Sequence, residues 1–194
     1  MARRVGRGMA VFAVVALGLS AAYWLPGTGR ATASQSDGQA EPPRSGDEGI
    51  LDGRVTWVTD GDSLRVFIKG RDMEIRLSDI DAPEREQPYG WQAKLELIEL
   101  VRDRQVVLKP RDVDRYGRVV ARVWVDGTDV NRELVRRGAA WFYSQYAKDE
   151  TLYYAEQEAR EAKVGLWALP IQDRVEPWHW RARARRTTNE RTPK

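Results

Sequence analysis

"RLSDIDAPE", residues 76–84, is the stretch on which the reading of this chain turns. Ile75 and Leu77 flank Arg76 as in an alternating β-strand. The strand then runs out into Asp79, Asp81 and Glu84 and breaks at Pro83. Burying an unpaired carboxylate costs several kcal/mol, so a core strand avoids them. The carboxylates therefore belong where the strand ends, exposed to water and to one another. Clustered anions call for a cation. All-oxygen donors suit a hard ion such as Ca²⁺ or Mg²⁺.

The flanking sequence extends the β pattern in both directions. "GRVTWVTDGDSLRVFI" (53–68) reads as two strands around a tight Asp60-Gly61 turn, and "MEIRLSDI" (73–80) as a third strand. "GWQAKLELIELV" (90–101) reads as a helix with Trp91, Leu95, Ile98 and Val101 on its apolar face, widened by Leu97 and Leu100. "QVVLKPRDVDRYGRVVARVWV" (105–125) gives two more strands joined by a polar loop at Gly117. "DVNRELVRRG" (129–138) is a short helix stopped by Gly138, and "DETLYYAEQEAREAKVG" (149–165) a third helix. The order βββ-α-ββ-α-α fits a mainly β fold with α elements: a five-stranded Greek-key barrel of the OB type with three helices.

Composition narrows the chemistry. The 194 residues include no Cys, which excludes disulfides and thiolate metal sites. The sole histidine, His179, leaves little room for a His-based triad or metal cage, and it reads as an exposed spacer. In "PWHW" (177–180) Trp178 or Trp180 is expected to clasp the barrel. The net charge is +3, but residues 50–180 carry an excess of acid, and residues 181–194 hold six basic groups against Glu190. The bulk charge of the domain therefore does not by itself point to nucleic acid.

Both ends read as separate from the domain. Residues 1–33 pair a basic start (Arg3, Arg4, Arg7) with an uncharged apolar run over 9–25 and small residues at 31–33. That is the pattern of an export signal, cleaved after Ala33 or retained as a membrane anchor. Either way residues 34–194 are expected to be secreted or extracytoplasmic, or held on the outer membrane face by residues 9–25. Residues 34–49 lack large apolar side chains and read as a disordered linker, 50–181 as the folded domain, and 182–194 as a basic disordered tail.

Each charged motif has an ordinary reading when taken alone. "DGDS" (60–63) is a favourable turn, and Arg76 can serve a structural salt bridge. Its guanidinium also matches phosphate oxygens in a bidentate fork. "DRYGR" (114–118) offers a second such group, Arg118, beside a glycine turn. In the aromatic run that follows the second helix, Trp141 and Phe142 read as core, while Tyr143 or Tyr146 suits base stacking.

Taken together, "DGDS", "IRLSDIDAPE", "DRYGR", "DVNRELVRRGAAW" and "GLW" occur in the order found in the thermonuclease (staphylococcal nuclease-like) family, which the chain resembles over residues 51–168. The resemblance implies an OB-fold enzyme that hydrolyses phosphodiester bonds of DNA and RNA with Ca²⁺. It implies Asp62, Asp81 and the Ala82 carbonyl as metal ligands, with Asp60 behind them. It implies Glu84 as the base on the attacking water, and Arg76 and Arg118 as stabilisers of the transition state. Arg115 and Tyr116 fall near the substrate phosphate. In the family Thr is common at the positions of Ser63 and Ala82; Asp79 has no counterpart role. A monomer acting on nucleic acid is expected. The rival reading is a catalytically inactive OB-fold nucleic-acid-binding module, which would be expected to lack one or more of Arg76, Asp81, Glu84 and Arg118.

Overall fold

The computed structural model describes residues 42–145 and 149–190. Tyr146 and the apolar run over 9–25 lie outside the described residues. Residues 42–49, expected to be disordered linker, form turns in which Asp47 N–H donates to the Arg44 carbonyl and the Asp47 carboxylate accepts from Arg44 N–H.

Five long strands carry the fold: β1 (Leu51–Asp60), β2 (Ser63–Ile68), β3 (Arg71–Leu77), β5 (Gln105–Val113) and β6 (Val119–Val125). They pair in the order β3-β2-β1-β5-β6, and a parallel pairing of β3 with β6 closes the barrel. Short two-residue strands β4 (Ile80–Asp81), β7 (Thr128–Asp129) and β8 (Trp141–Phe142) pin the loops between them. Strand alternation places Leu64, Val66, Ile75, Leu77, Leu108 and Val123 inward, all essentially sealed from water. Near the start of β1, Gly53 lets the chain cross close over β2: a Cβ there would lie 2.4 Å from Val66 Cγ1.

Helix α1 (Gly90–Val101) docks through Gly90, Ala93, Leu97 and Val101. This corrects the expected face. Trp91 and Leu95 point to solvent, at 55% and 45% exposure. The reason is distance. A Cβ on Gly90 would lie 1.8 Å from the Glu84 carbonyl oxygen, and one on Gly61 would lie 2.9 Å from Ala93 Cβ. Only small side chains let α1 settle that close to the loops, so the smallest residues mark its buried face.

Helices α2 (Val130–Arg136) and α3 (Glu150–Ala162) each start on an aspartate. Asp129 accepts from Arg132 N–H and Asp149 from Thr151 N–H. Arg122, 2% exposed on β6, binds both aspartates and thereby ties the two helix starts to the barrel. Trp141 and Trp167 form a second small core with Ala159 and Leu166. The aromatic residue Trp141 is core, as its sequence context indicated.

A fourth helix, α4 (Pro177–Glu190), replaces the expected structureless tail through Glu190. Its Arg and Ala residues are strong helix formers, and Pro177 stands at the first helical position. Trp178 docks it, stacked on Tyr143 at 5.0 Å and edge-on to Trp141 at 6.3 Å. His179 is the exposed spacer expected, touching Glu176 at 3.1 Å.

Candidate active site

Strand β3 ends at Leu77, and the chain turns at Ser78-Asp79 before β4. Asp79 sits at φ 65°, a left-handed conformation that Asp tolerates better than most residues. This turn resets the side-chain alternation, so Arg76 and Asp81 face one point despite their opposite parity. Arg76 Nη2 donates to Asp81 Oδ1 at 2.9 Å and lies 3.1 Å from Asp62 Oδ2. Its Nη1 donates to the Leu77 carbonyl at 2.7 Å.

Three devices hold the turn. Asn131 of α2, fully buried, donates to the Ser78 carbonyl and accepts from Val123 N–H. Tyr143 N–H donates to the Asp79 carbonyl at 2.9 Å. Arg111 pairs with the buried Asp79 carboxylate. The pairing of β5 with β6 shifts register between Pro110 and Asp112, and this bulge aims Arg111 across.

Asp62 enters from the β1–β2 turn. Its Oδ2 accepts from Ala82 N–H at 2.7 Å and its Oδ1 from the Ser63 hydroxyl at 3.0 Å. Arg118 enters from the loop before β6. Asp114 builds that loop. Its Oδ1 accepts from the main-chain N–H groups of Tyr116 and Arg118, and its Oδ2 from Arg118 Nε at 2.8 Å. The Arg118 Nη1 lies 3.4 Å from Ser63 Oγ. Parallel closure pairs Arg76 with Val120, so the loop that carries Arg118 leads into the strand beside that of Arg76.

Burial without full compensation shows in the carboxyls. Burial, then the neighbouring Asp62 charge, pushes Asp60 up to about 7. Burial also raises Asp81, against the hydrogen bond from Arg181. Asp114 moves the other way, because the bonds from Arg118 outweigh its desolvation.

Among the described residues, no three His, Cys, Asp or Glu side chains converge into a ready-made metal cage. The donor set still fits a hard divalent cation. Asp62 and Asp81 are buried oxygen donors that converge on one guanidinium, so their carboxylates face a common point. Main-chain oxygen and water would complete a sparse site of that kind.

These groups line an open cleft of about 1370 Å³. That exceeds the ~300–1,000 Å³ usual for small-molecule pockets and admits a stretch of polymer. Arg115 and Tyr116 stand at its mouth, bonded to each other at 2.7 Å, with the Tyr116 ring 69% exposed.

A family model for staphylococcal nuclease homologues matches residues 74–169. An uncharacterized endonuclease of Escherichia coli is 43% identical over 135 residues, covering 69% of this chain and 86% of its own length. A micrococcal nuclease of Shigella flexneri is 36% identical over 148 residues, covering 71% and 84%. A staphylococcal-like nuclease of Arabidopsis thaliana is 37% identical over 118 residues, covering 61% and 36%.

The chain belongs to the staphylococcal nuclease family.

In this family member the structure gathers Arg76, Asp62, Asp81, Ala82, Glu84 and Arg118 around one cleft, with Arg115 and Tyr116 at its edge. Several residues of the site escaped the sequence reading. Asp114 holds the Arg118 loop, and its signal was the Asp-x-x-Gly turn pattern. Asp79, left without a role, is a buried anchor for Arg111. Gln87 accepts from Glu84 N–H at 3.1 Å and donates to the Val175 carbonyl, joining the Glu84 loop to the approach of α4. The largest surprise in this nuclease-family site is Arg181 of α4. Its Nη2 donates to Asp81 Oδ2 at 2.7 Å and its Nη1 to Glu84 Oε1 at 2.6 Å.

Proposed function

We propose that this protein is a Ca²⁺-dependent nuclease that hydrolyses phosphodiester bonds of DNA, RNA or both. Membership of the staphylococcal nuclease family makes it a nuclease, a phosphodiester hydrolase. The finer reading rests on one observation: two arginines, Arg76 on β3 and Arg118 in the loop leading into the neighbouring β6, line a cleft with a pair of buried carboxylates, and that cleft is wide enough for a polymer.

In this reading Asp62 and Asp81, with the Ala82 carbonyl, would hold the Ca²⁺. The bound ion supplies Lewis-acid stabilisation of charge on the phosphoryl oxygens. The remaining work falls to the chain itself. Arg76 and Arg118 grip the scissile phosphate through planar forks and oppose the charge that grows as the water attacks. Both are preorganised: Arg76 by the Leu77 carbonyl and Arg118 by Asp114. Glu84, at the cleft, takes the proton from the attacking water at its carboxylate oxygen. Arg115 and Tyr116 receive the neighbouring phosphate and base, and Tyr146 is proposed, from sequence alone, as a further substrate contact.

Digestion of plasmid DNA and of RNA by the full chain tests this, with Ca²⁺, Mg²⁺ and chelator compared. Cleavage with Ca²⁺ that stops on chelation is expected, and so is loss of cleavage in Glu84→Gln. Undiminished cleavage in excess chelator would overturn the calcium reading. Nucleic-acid binding with no cleavage under any cation would favour the binding-module alternative. The basic start and the apolar run over 9–25 support export of the domain, free or anchored. Recovery of the full chain from a cytoplasmic fraction alone would refute export.

A further inference from the structure

Helix α4 reaches across the cleft and sets one guanidinium on the two acids that matter most. Both oxygens of Asp81 are engaged. Arg76 takes Oδ1 at 2.9 Å, and Arg181 takes Oδ1 at 3.2 Å and Oδ2 at 2.7 Å. Arg181 also takes Glu84 Oε1 at 2.6 Å. The oxygens assigned to the cation and to the proton of the attacking water are thus bonded to the same side chain.

The two arginines differ in freedom. Arg76 sits on β3 with its side chain 16% exposed and three anchors, among them the Leu77 carbonyl. The Arg181 side chain is 38% exposed on the wall of an open cleft. Its long flexible stem can swing the guanidinium within the open cleft, which Arg185 also lines. Helix α4 does not depend on Arg181 for its seat. Trp178 stacks on Tyr143, and Gln87 grips the Val175 carbonyl.

We propose that Arg181 is a built-in competitor of the divalent cation: it closes the acid pair in the resting protein and must leave Asp81 and Glu84 before the cation binds and the water can be activated. This rests on the calcium reading above and adds to it a determinant of cation affinity outside the catalytic motifs. A protein built this way is held off where free divalent cation is scarce and released where it is plentiful. A competitor that fills the pocket about nine-tenths of the time weakens apparent cation affinity about tenfold.

The test titrates Ca²⁺ into the full-length wild type, Arg181→Ala and Arg181→Gln by calorimetry, with Tb³⁺ luminescence as a second probe. Thermal melts are recorded with and without the ion. Removing the guanidinium should tighten the cation Kd by about tenfold or more. It should also enlarge the Ca²⁺-induced rise in Tm, because the acids lose their internal counter-charge. The Ca²⁺ concentration that half-saturates cleavage should fall in step. The Gln variant keeps a polar but shorter and uncharged side chain, so agreement between the two variants separates lost competition from lost folding. A Kd within about twofold of wild type, or a weaker one, in variants that melt cooperatively would overturn the proposal. If the wild type itself neither binds Ca²⁺ nor needs it, the calcium reading falls first and carries this proposal with it. Normal Ca²⁺ binding by the wild type, with equal affinity in the variants, removes the proposal alone.

Discussion

Asp114→Asn separates the building of a loop from the aiming of an arginine. Asn keeps an oxygen at the Oδ1 position, where Tyr116 and Arg118 main-chain N–H groups donate at 2.9 and 3.0 Å. It puts an NH₂ group where Oδ2 now accepts from Arg118 Nε at 2.8 Å, so donor faces donor. A hydrogen bond to a charged group is worth about 1.5–3 kcal/mol. The pair is partly solvated, with side-chain exposures of 28% and 19%, which argues for the lower end, about 1.5 kcal/mol. If Arg118 must be held in place to meet the transition state, that loss converts to about a tenfold fall in kcat. The turn bonds survive, and a loss of about 1.5 kcal/mol moves Tm by about 3–6 °C in a chain of this size. Steady-state cleavage of a short oligonucleotide gives kcat and KM separately, and a thermal melt runs beside it. The expected pattern is a lower kcat, a nearly unchanged KM and a Tm lowered by only a few degrees. Arg118→Ala sets the floor, about 10²-fold down or more. A kcat for Asp114→Asn within about twofold of wild type, alongside a crippled Arg118→Ala, would show that Arg118 needs no such aiming.

Other perturbations bear on the scaffold. Arg122→Ala leaves Asp129 without its buried partner and frees the starts of α2 and α3; urea denaturation should show a loss of about 3–5 kcal/mol, and a loss under about 1 would contradict the assigned role. Gly90→Ala drives a Cβ into the Glu84 carbonyl, 1.8 Å away, so Tm and cleavage should fall together; a wild-type melt would contradict the packing. Burial pushes the Asp149 carboxyl up, but bonds from Thr151 and the Arg122 charge hold it below its ordinary 3.8. A depressed carboxyl stabilises the fold above its unfolded value and loses that effect as pH falls through the folded one. The Tm gap between wild type and Asp149→Asn should therefore be full at neutral pH and close below 3.8; a gap independent of pH would refute the charge pairing.

The barrel was legible because strands announce themselves locally. Ile75 and Leu77 alternate with charge, and Asp60-Gly61 and Gly117 mark turns, so β2, β3, β5 and β6 could be drawn from spacing alone. Asp62, Asp81 and Glu84 stood out only in company with Arg76 and Arg118, through the family resemblance, and the expected exposure to water was wrong for Asp62 and Asp81, which the loops bury against Arg76. Helix α1 was legible as a helix but not in its rotation. Hydrophobicity favoured Trp91 and Leu95, whereas close approach to the Glu84 carbonyl favoured Gly90 and Ala93. Helix α4 was illegible for a different reason. Its sequence carries no apolar stripe, and what docks it is one residue, Trp178, stacked on Tyr143 and edge-on to Trp141. Contacts of that range leave no period in the sequence. Asp79 hid for the same reason: its partner Arg111 arrives through a bulge on β5.

The parallel seam between β3 and β6 also sets a clock. Every other long pairing in the barrel joins antiparallel strands, whereas this one brings together segments on either side of α1 and β5. Non-local pairing of that kind is slow to form, because loop entropy is spent before the contacts reward it. The same seam lays Arg76 beside Val120, two residues beyond Arg118. A refolding chain can therefore regain helix signal and buried tryptophan while its two arginines are still apart. Recovery of cleavage after dilution from denaturant should lag those optical signals and follow the single event of barrel closure, which makes turnover itself a stopwatch for the seam.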